Sequence, residues 1–244
     1  METFQKKNDL LIFFPTYNEK GNVLSLIERI LKLQLQCDIL IIDDGSPDGT
    51  YKLIQEKYSL NKNIFVINRG SKKGIGTAHL EALKLAKEKN YKCLITMDAD
   101  FTHQPEDIPK FLSNSKDSDI IVGSRFLFSN SLEDWNIVRK LMTIGGHILT
   151  KYFLGLPYDA TGFFRLYNLD NIKYDEFSKM QSKNYDFSFE SLSRFFYSGY
   201  KIKEVPIILP KRTYGSSKMT FINMINSILK IMIFSITIRL RKKK

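Results

Sequence analysis

The chain has 244 residues, with 37 Lys+Arg against 26 Asp+Glu, a formal net charge of +11, and 43% apolar residues. This composition excludes a disordered or fibrous chain and suffices for one domain with a full core, with or without an accessory element. Its two cysteines, Cys37 and Cys93, exclude a disulfide framework and a four-cysteine zinc site; both open predicted strands, where buried small residues are expected.

The N-terminal residues 1–7 carry no apolar run ahead of a cleavage site, so a reducing, cytosol-facing location is expected. Residues 10–14 (LLIFF), 39–42 (ILII), 64–67 (IFVI), 93–97 (CLITM) and 119–122 (DIIV) are short apolar runs bounded by polar residues. Such runs suit strands buried on both faces. Between them lie amphipathic stretches such as 23–35 and 78–89. In the latter, Ala78, Ala82, Leu85 and Ala86 share one face, opposite Lys84, Lys87 and Glu88. This alternation predicts an α/β fold with a mostly parallel central sheet flanked by helices.

Beyond residue 130 the pattern changes to a helix over 138–156, a strand over 163–167, a helix over 188–197 and a strand over 203–209. The apolar segment 219–238 is interrupted by Asn223, Asn226, Ser227 and Lys230, which form one stripe of a helix. Its uninterrupted part, 231–238, spans only about 12 Å at ~1.5 Å per residue, against a bilayer core of ~30 Å. A helix lying in the membrane interface is therefore expected, with the basic tail 239–244 on lipid headgroups. The expected organisation is one domain over 1–217, including the helix near 137–156, and an amphipathic helix with its polybasic tail over 218–244.

Acidic residues cluster at strand ends. The strand 39–42 runs into Asp43-Asp44-Gly45-Ser46-Pro47-Asp48-Gly49-Thr50, and the strand 93–97 ends in Asp98-Ala99-Asp100. Ligands of open parallel sheets bind outside the carboxyl ends of the strands. Two carboxylates one residue apart can share a divalent cation, which prefers oxygen ligands. Each cluster alone is ordinary turn chemistry; two after neighbouring strands point to a site. Gly74-Ile75-Gly76 lacks the third glycine of a dinucleotide fingerprint, residues 70–74 lack a P-loop ending, and no nucleophile elbow is present. The +11 charge calls for an anionic partner. Nucleic acid is disfavoured, because no RNP, helix-turn-helix or zinc motif occurs and the acidic clusters repel phosphate without a metal.

Pro15-Thr16-Tyr17-Asn18-Glu19, the residues 43–50 and Asp98-Ala99-Asp100 together resemble the family 2 inverting glycosyltransferases of the GT-A fold. The segments 72–78 (KKGIGTA), 123–126 (GSRF), Trp135 with Arg139-Lys140, 161–167 (TGFFRLY), 204–207 (EVPI) and 212–218 (RTYGSSK) narrow this to the polyprenol-phosphate (dolichol-phosphate) mannose synthases. The resemblance implies that Pro15, Tyr17, Glu19, Ile42 and Asp44 hold the donor nucleotide. It implies that Asp98, Ala99 and Asp100 hold the diphosphate and a Mg²⁺ or Mn²⁺ ion, the metal ligands being Asp98 and Asp100. Arg125, Arg212 and Lys218 fall at cationic positions around the phosphates, and Arg125, Arg139 and Thr143 at the acceptor phosphate; Asp98, Asp100 and Arg125 are the catalytic set. Three departures stand out: Thr143 where Ser is common, Phe163 where Ser is usual, and Thr102 where Gln or Ser is frequent.

The implied partners are GDP-mannose, a polyprenyl or dolichyl phosphate, an anionic membrane surface and, as in some members, small membrane subunits. The implied location is the cytosolic face of a membrane, the endoplasmic reticulum in a eukaryote. The Asp-rich motifs are shared across the family, so a glucosyl or other hexosyl transferase to polyprenyl phosphate stays open. A phosphate monoester, with its second pKa near ~6, is already largely ionised and needs arginines to position it more than a base to activate it.

Overall fold

The computed structural model describes residues 4–210 and the backbone of a helix at 221–241, with side chains described over 226–236 of that helix. Seven strands form one sheet in the order β3-β2-β1-β4-β6-β5-β7. They are β1 (Leu10–Thr16), β2 (Cys37–Asp43), β3 (Ile64–Asn68), β4 (Cys93–Thr96), β5 (Ile120–Ser124), β6 (Arg165–Asn168) and β7 (Ile202–Pro206). All pairings are parallel except those of β6, which runs antiparallel between β4 and β5. The expected mostly parallel sheet is therefore present.

Period-two alternation divides each strand between two cores. Leu11 and Phe13 of β1 join Leu40 and Ile42 of β2 on one face, while Ile12 and Phe14 join Ile39 and Ile41 on the other. The helix α1 (Val23–Lys32) covers the second face with Val23, Leu26, Ile27 and Ile30, spaced for one stripe. On the first face lie α3 (Ile75–Glu88), whose Ala78, Ala82 and Ala86 allow close approach, and α7 (Phe187–Tyr197). Each fully buried large side chain contributes roughly 1.5–3 kcal/mol. The remaining helices are α2 (Thr50–Tyr58), α4 (Ile108–Ser113), α5 (Ile137–Leu154), α6 (Asp175–Ser178) and α8 (Phe221–Arg241). Cys37 is buried and Cys93 half-buried, both as free thiols.

The glycines of the KKGIGTA segment serve packing. A Cβ on Gly76 would lie 2.7 Å from both the Asn184 carbonyl oxygen and the Phe187 Cβ. The Gly76 N–H donates to the Lys183 carbonyl at 2.9 Å, so α3 starts hard against residues 182–187. Gly76→Ala is expected to cost about 1–3 kcal/mol by overpacking, read as a lower denaturation midpoint.

Among the side chains described for α8, the polar stripe turns toward the protein body. Asn226, Ser227 and Lys230 line a cleft of about 180 Å³ with Asn184, Tyr185 and Asp186. Lys230 Nζ reaches the buried Asp186 at 2.6 Å, and Ile231 enters the core. Leu229, Met232, Ile233 and Ile236 stay exposed. Desolvating Asp186 requires a cation, and the lysine midway along α8 supplies it. No helix among the described residues is long and apolar enough to cross a membrane. The proposed boundary at 217/218 and the tail 242–244 lie outside the described residues.

Candidate active site

The sheet order reverses between β1 and β4, so the crevice at their carboxyl ends is the topological switch point where α/β folds bind ligands. Residues after β1, β2, β4 and β5 meet there, as do those before the antiparallel β6. The Thr96 hydroxyl donates to the Phe163 carbonyl at 2.6 Å, tying the exit of β4 to the entry of β6.

The acidic run after β2 divides its labour. Asp43 is buried and accepts from the Thr16 hydroxyl at 2.8 Å and from the Ser46 N–H at 2.8 Å, joining the exits of β1 and β2. Asp48 accepts from the Thr50 N–H at 3.0 Å and the Lys20 N–H at 3.0 Å, so it shapes the turn. Asp44 forms a buried ion pair with Arg69 and accepts from the N–H groups of Lys73 at 3.2 Å and Gly74 at 3.1 Å. Gly45 allows this approach: at φ +69° its absent Cβ would lie 2.7 Å from the Gly70 carbonyl carbon. Beside this cluster, Lys72 Nζ sits 4.5 Å from the centre of the Tyr17 ring, a cation–π contact. Ile42 is wholly buried, so its side chain serves the core and only its main chain belongs to the edge.

After β4, Asp98, Ala99 and Asp100 continue into Phe101, held at φ +62°. The Thr102 N–H at 3.1 Å and hydroxyl at 2.6 Å both donate to Asp100 Oδ1. Thr102 thus aims the Asp100 carboxylate. His103 Nδ1 accepts from the Asp98 N–H at 2.8 Å, and its ring stacks on Phe164 at 5.0 Å. Burial pushes the His103 imidazole down to about 4, so it serves as a neutral acceptor. Among the described residues no three His, Cys, Asp or Glu side chains gather as a metal site. The hard donors Asp98 and Asp100 nevertheless fit Mg²⁺ or Mn²⁺, ions held by one or two carboxylates when phosphate oxygens and water complete the shell.

Beyond β5, Arg125 is paired rather than open. Its Nε donates to Asp159 Oδ2 at 2.7 Å, its N–H to the same oxygen at 3.0 Å, and its Nη2 to Asp159 Oδ1 and the Thr161 hydroxyl. Burial alone would raise the Asp159 pKa, but the Arg125 charge and hydrogen bonds hold it below the usual carboxylate range. Glu204 of β7 accepts the Asp159 N–H at 2.7 Å, closing the cluster.

The glycosyl transferase family 2 model matches residues 11–175. This chain belongs to glycosyl transferase family 2. It is 32% identical over 212 residues to an undecaprenyl-phosphate mannosyltransferase of Micrococcus luteus, covering 86% of this chain and 87% of that one. It is 30% identical over 237 residues to a polyprenol monophosphomannose synthase of Mycolicibacterium smegmatis, covering 96% and 89%. Its fold is similar to that of a Mycobacterium tuberculosis glucosyl-3-phosphoglycerate synthase solved with Mn²⁺, UDP and glucosyl-3-phosphoglycerate. The TM-score is 0.61 at 15% identity, over 94% of this chain and 79% of the other. The expected GT-A fold and glycosyltransferase class are thereby met.

In this family 2 glycosyltransferase, α5 carries two opposed stripes. Arg139, Thr143, Gly146, His147, Thr150 and Leu154 turn inward; a Cβ on Gly146 would stand 3.5 Å from Thr161 Cγ2, beside the Arg125–Asp159 pair. Ile137, Leu141 and Tyr152 turn outward, 67%, 62% and 75% exposed. The guanidinium of Arg139 stacks 3.5 Å from the Trp135 ring centre, and the Asn136 side chain caps the helix at the Arg139 N–H, 2.8 Å away. Phe163, the departure from the family pattern, stacks on buried His79 at 4.3 Å and belongs to the core. Arg212 and Lys218 lie outside the described residues. Sequence reading missed Arg69, Asp159, Thr161 and His103. Arg69 directly follows β3, as Asp44 follows β2 and Arg125 follows β5, whereas Asp159 lies in the loop between α5 and β6, and nothing in sequence pairs Arg69 with Asp44 or Asp159 with Arg125.

Proposed function

We propose that this glycosyltransferase moves mannose from GDP-mannose to a polyprenyl monophosphate at a membrane surface, with inversion. One observation carries the reading: the helix whose inner stripe holds Arg139 and Thr143 has an outer stripe of exposed Ile137, Leu141, Ile144 and Ile148. An enzyme acting on a phosphate joined to a long hydrocarbon needs such a two-sided element. The exposed face of α8 and the neighbouring Leu127 and Phe128 extend the apolar surface. The names of the two relatives support the substrate class.

In this reading Pro15, Tyr17, Glu19, Ile42 and Asp44 hold the donor nucleotide, and Asp98, Ala99 and Asp100 its diphosphate and cation, with Arg212 and Lys218 adding positive charge. A bound Mg²⁺ or Mn²⁺ would neutralise charge developing on the leaving diphosphate. Arg139 and Thr143 orient the acceptor phosphate so that one oxygen faces the anomeric carbon. The new phosphate O–C bond forms as the C–O bond to the diphosphate breaks on the opposite side. No proton need be removed, because the attacking oxygen is already ionised. Arg125, held by Asp159, contributes a fixed positive charge at the rim.

The test is transfer of labelled mannose from GDP-mannose to a short polyprenyl phosphate, with and without Mg²⁺. Product only from UDP-glucose would replace mannose by another hexose, and no product from any nucleotide sugar would end the reading. For the membrane contact, Leu141→Glu with Ile144→Glu should cut sedimentation with phosphatidylglycerol vesicles at least about tenfold, since each charge opposes insertion of an exposed apolar face. Unchanged sedimentation would remove α5 from the contact.

A further inference from the structure

We propose that His147 is a third element of the acceptor-phosphate site, donating a hydrogen bond from Nε2–H to a phosphate oxygen of the polyprenyl phosphate. The inference rests on the function proposed above.

His147 lies one helical turn beyond Thr143, on the inward stripe of α5 that begins at Arg139. Its ring stacks on Phe126 at 4.0 Å with planes 20° apart, and Phe126 directly follows Arg125. The imidazole is therefore held in one orientation beside the Arg125–Asp159 pair. Its Nδ1 is enclosed and has no hydrogen-bond partner among the described residues. A proton on Nδ1 would leave an N–H unpaired in the interior, which costs more than leaving a lone pair there, so the neutral ring carries its proton on Nε2. Burial also pushes the pKa below the usual histidine range; Asp159 opposes this, while Lys151 and Arg125 add to it. The lowered pKa favours the neutral ring, and the stack on Phe126 holds its donor in place.

The arrangement fits the chemistry of a phosphate monoester. Each of its three terminal oxygens can accept more than one hydrogen bond, so a donor beyond Arg139 and Thr143 still finds an acceptor, and one oxygen must stay unobstructed for attack. A neutral donor orients an oxygen without a further cation that would blunt the nucleophile.

Two substitutions separate this role from packing. His147→Phe keeps the stack on Phe126 and deletes the N–H; His147→Gln deletes the stack and keeps an amide N–H near the position of Nε2. The expected result is that His147→Phe raises KM for the polyprenyl phosphate about tenfold, the loss of one hydrogen bond to a charged group, with KM for GDP-mannose unchanged. His147→Gln should stay within about threefold of the wild type. An unchanged acceptor KM in His147→Phe would overturn the proposal, as would loss in His147→Gln with retention in His147→Phe, which assigns the residue to packing. A shift in the donor KM instead would move His147 to the nucleotide-sugar side and also overturn it. Wild-type protein that transfers no sugar refutes the proposed function; normal wild-type transfer with an unaffected His147→Phe refutes only this inference.

Discussion

Asp100→Ala is expected to lower the rate of sugar transfer about a thousandfold while leaving the fold intact. The negative charge that develops on the leaving diphosphate is worth several kcal/mol of cation stabilisation in the transition state, and about 4 kcal/mol is three decades in rate. Asp100 is one of two carboxylates past β4, and Thr102 fixes its Oδ1 by two hydrogen bonds. Thr102→Val removes only the aiming hydroxyl and should cost about tenfold, with part of the loss recovered at higher Mg²⁺. The measurement is kcat and the Mg²⁺ concentration at half-maximal rate for both variants. Full metal-dependent activity in Asp100→Ala would show that the carboxylate does not hold the cation.

The same loop shows what sequence can and cannot carry. Strand ends and acidic clusters are local signals: the alternation of apolar runs with amphipathic segments located β1 to β5, and the rule that ligands sit at carboxyl ends pointed to residues 43–50 and 98–100. The helix α5 was also legible as the helical stretch 138–156, and its Arg139 and Thr143 through the family resemblance. Partnerships between distant segments were not. Asp44 and Arg69 meet because β2 and β3 are adjacent, and Arg125 and Asp159 meet because the antiparallel β6 returns its entry to the edge where β5 ends. Four aspartates with the same turn-forming chemistry, Asp43, Asp44, Asp48 and Asp100, have different partners, and only those partners distinguish a strut from a ligand. The polar stripe of α8 was legible as a stripe, but its direction depended on Asp186, more than forty residues earlier in the chain.

The paired role of Arg125 leads to the largest expected effect on stability. Asp159→Asn should destabilise the protein by about 3–5 kcal/mol at neutral pH, the usual cost of removing one partner from a buried ion pair. Both side chains are almost fully enclosed, with 10% exposure for Arg125 and none for Asp159, so solvent cannot replace the lost charge. The Asp159 pKa is lowered in the folded state. Its contribution is therefore present above the ordinary carboxylate pKa and is lost as the pH falls through the depressed folded value. The gap between wild type and Asp159→Asn should accordingly be widest at pH 6–8, roughly the plateau of carboxylate ionisation, and narrow in acid. Denaturant titrations of both proteins at neutral and acid pH measure it. A gap independent of pH would mean that geometry, not charge, holds the segment from Asp159 to Thr161. Arg125→Lys gives the complementary arm: it keeps a cation but loses the two-pronged fit, so it should recover only part of the stability. Because Thr161 also abuts α5 at Gly146, loosening this pair should move α5 as well; if α5 orients the acceptor as proposed, KM for the polyprenyl phosphate rises more than KM for the nucleotide sugar.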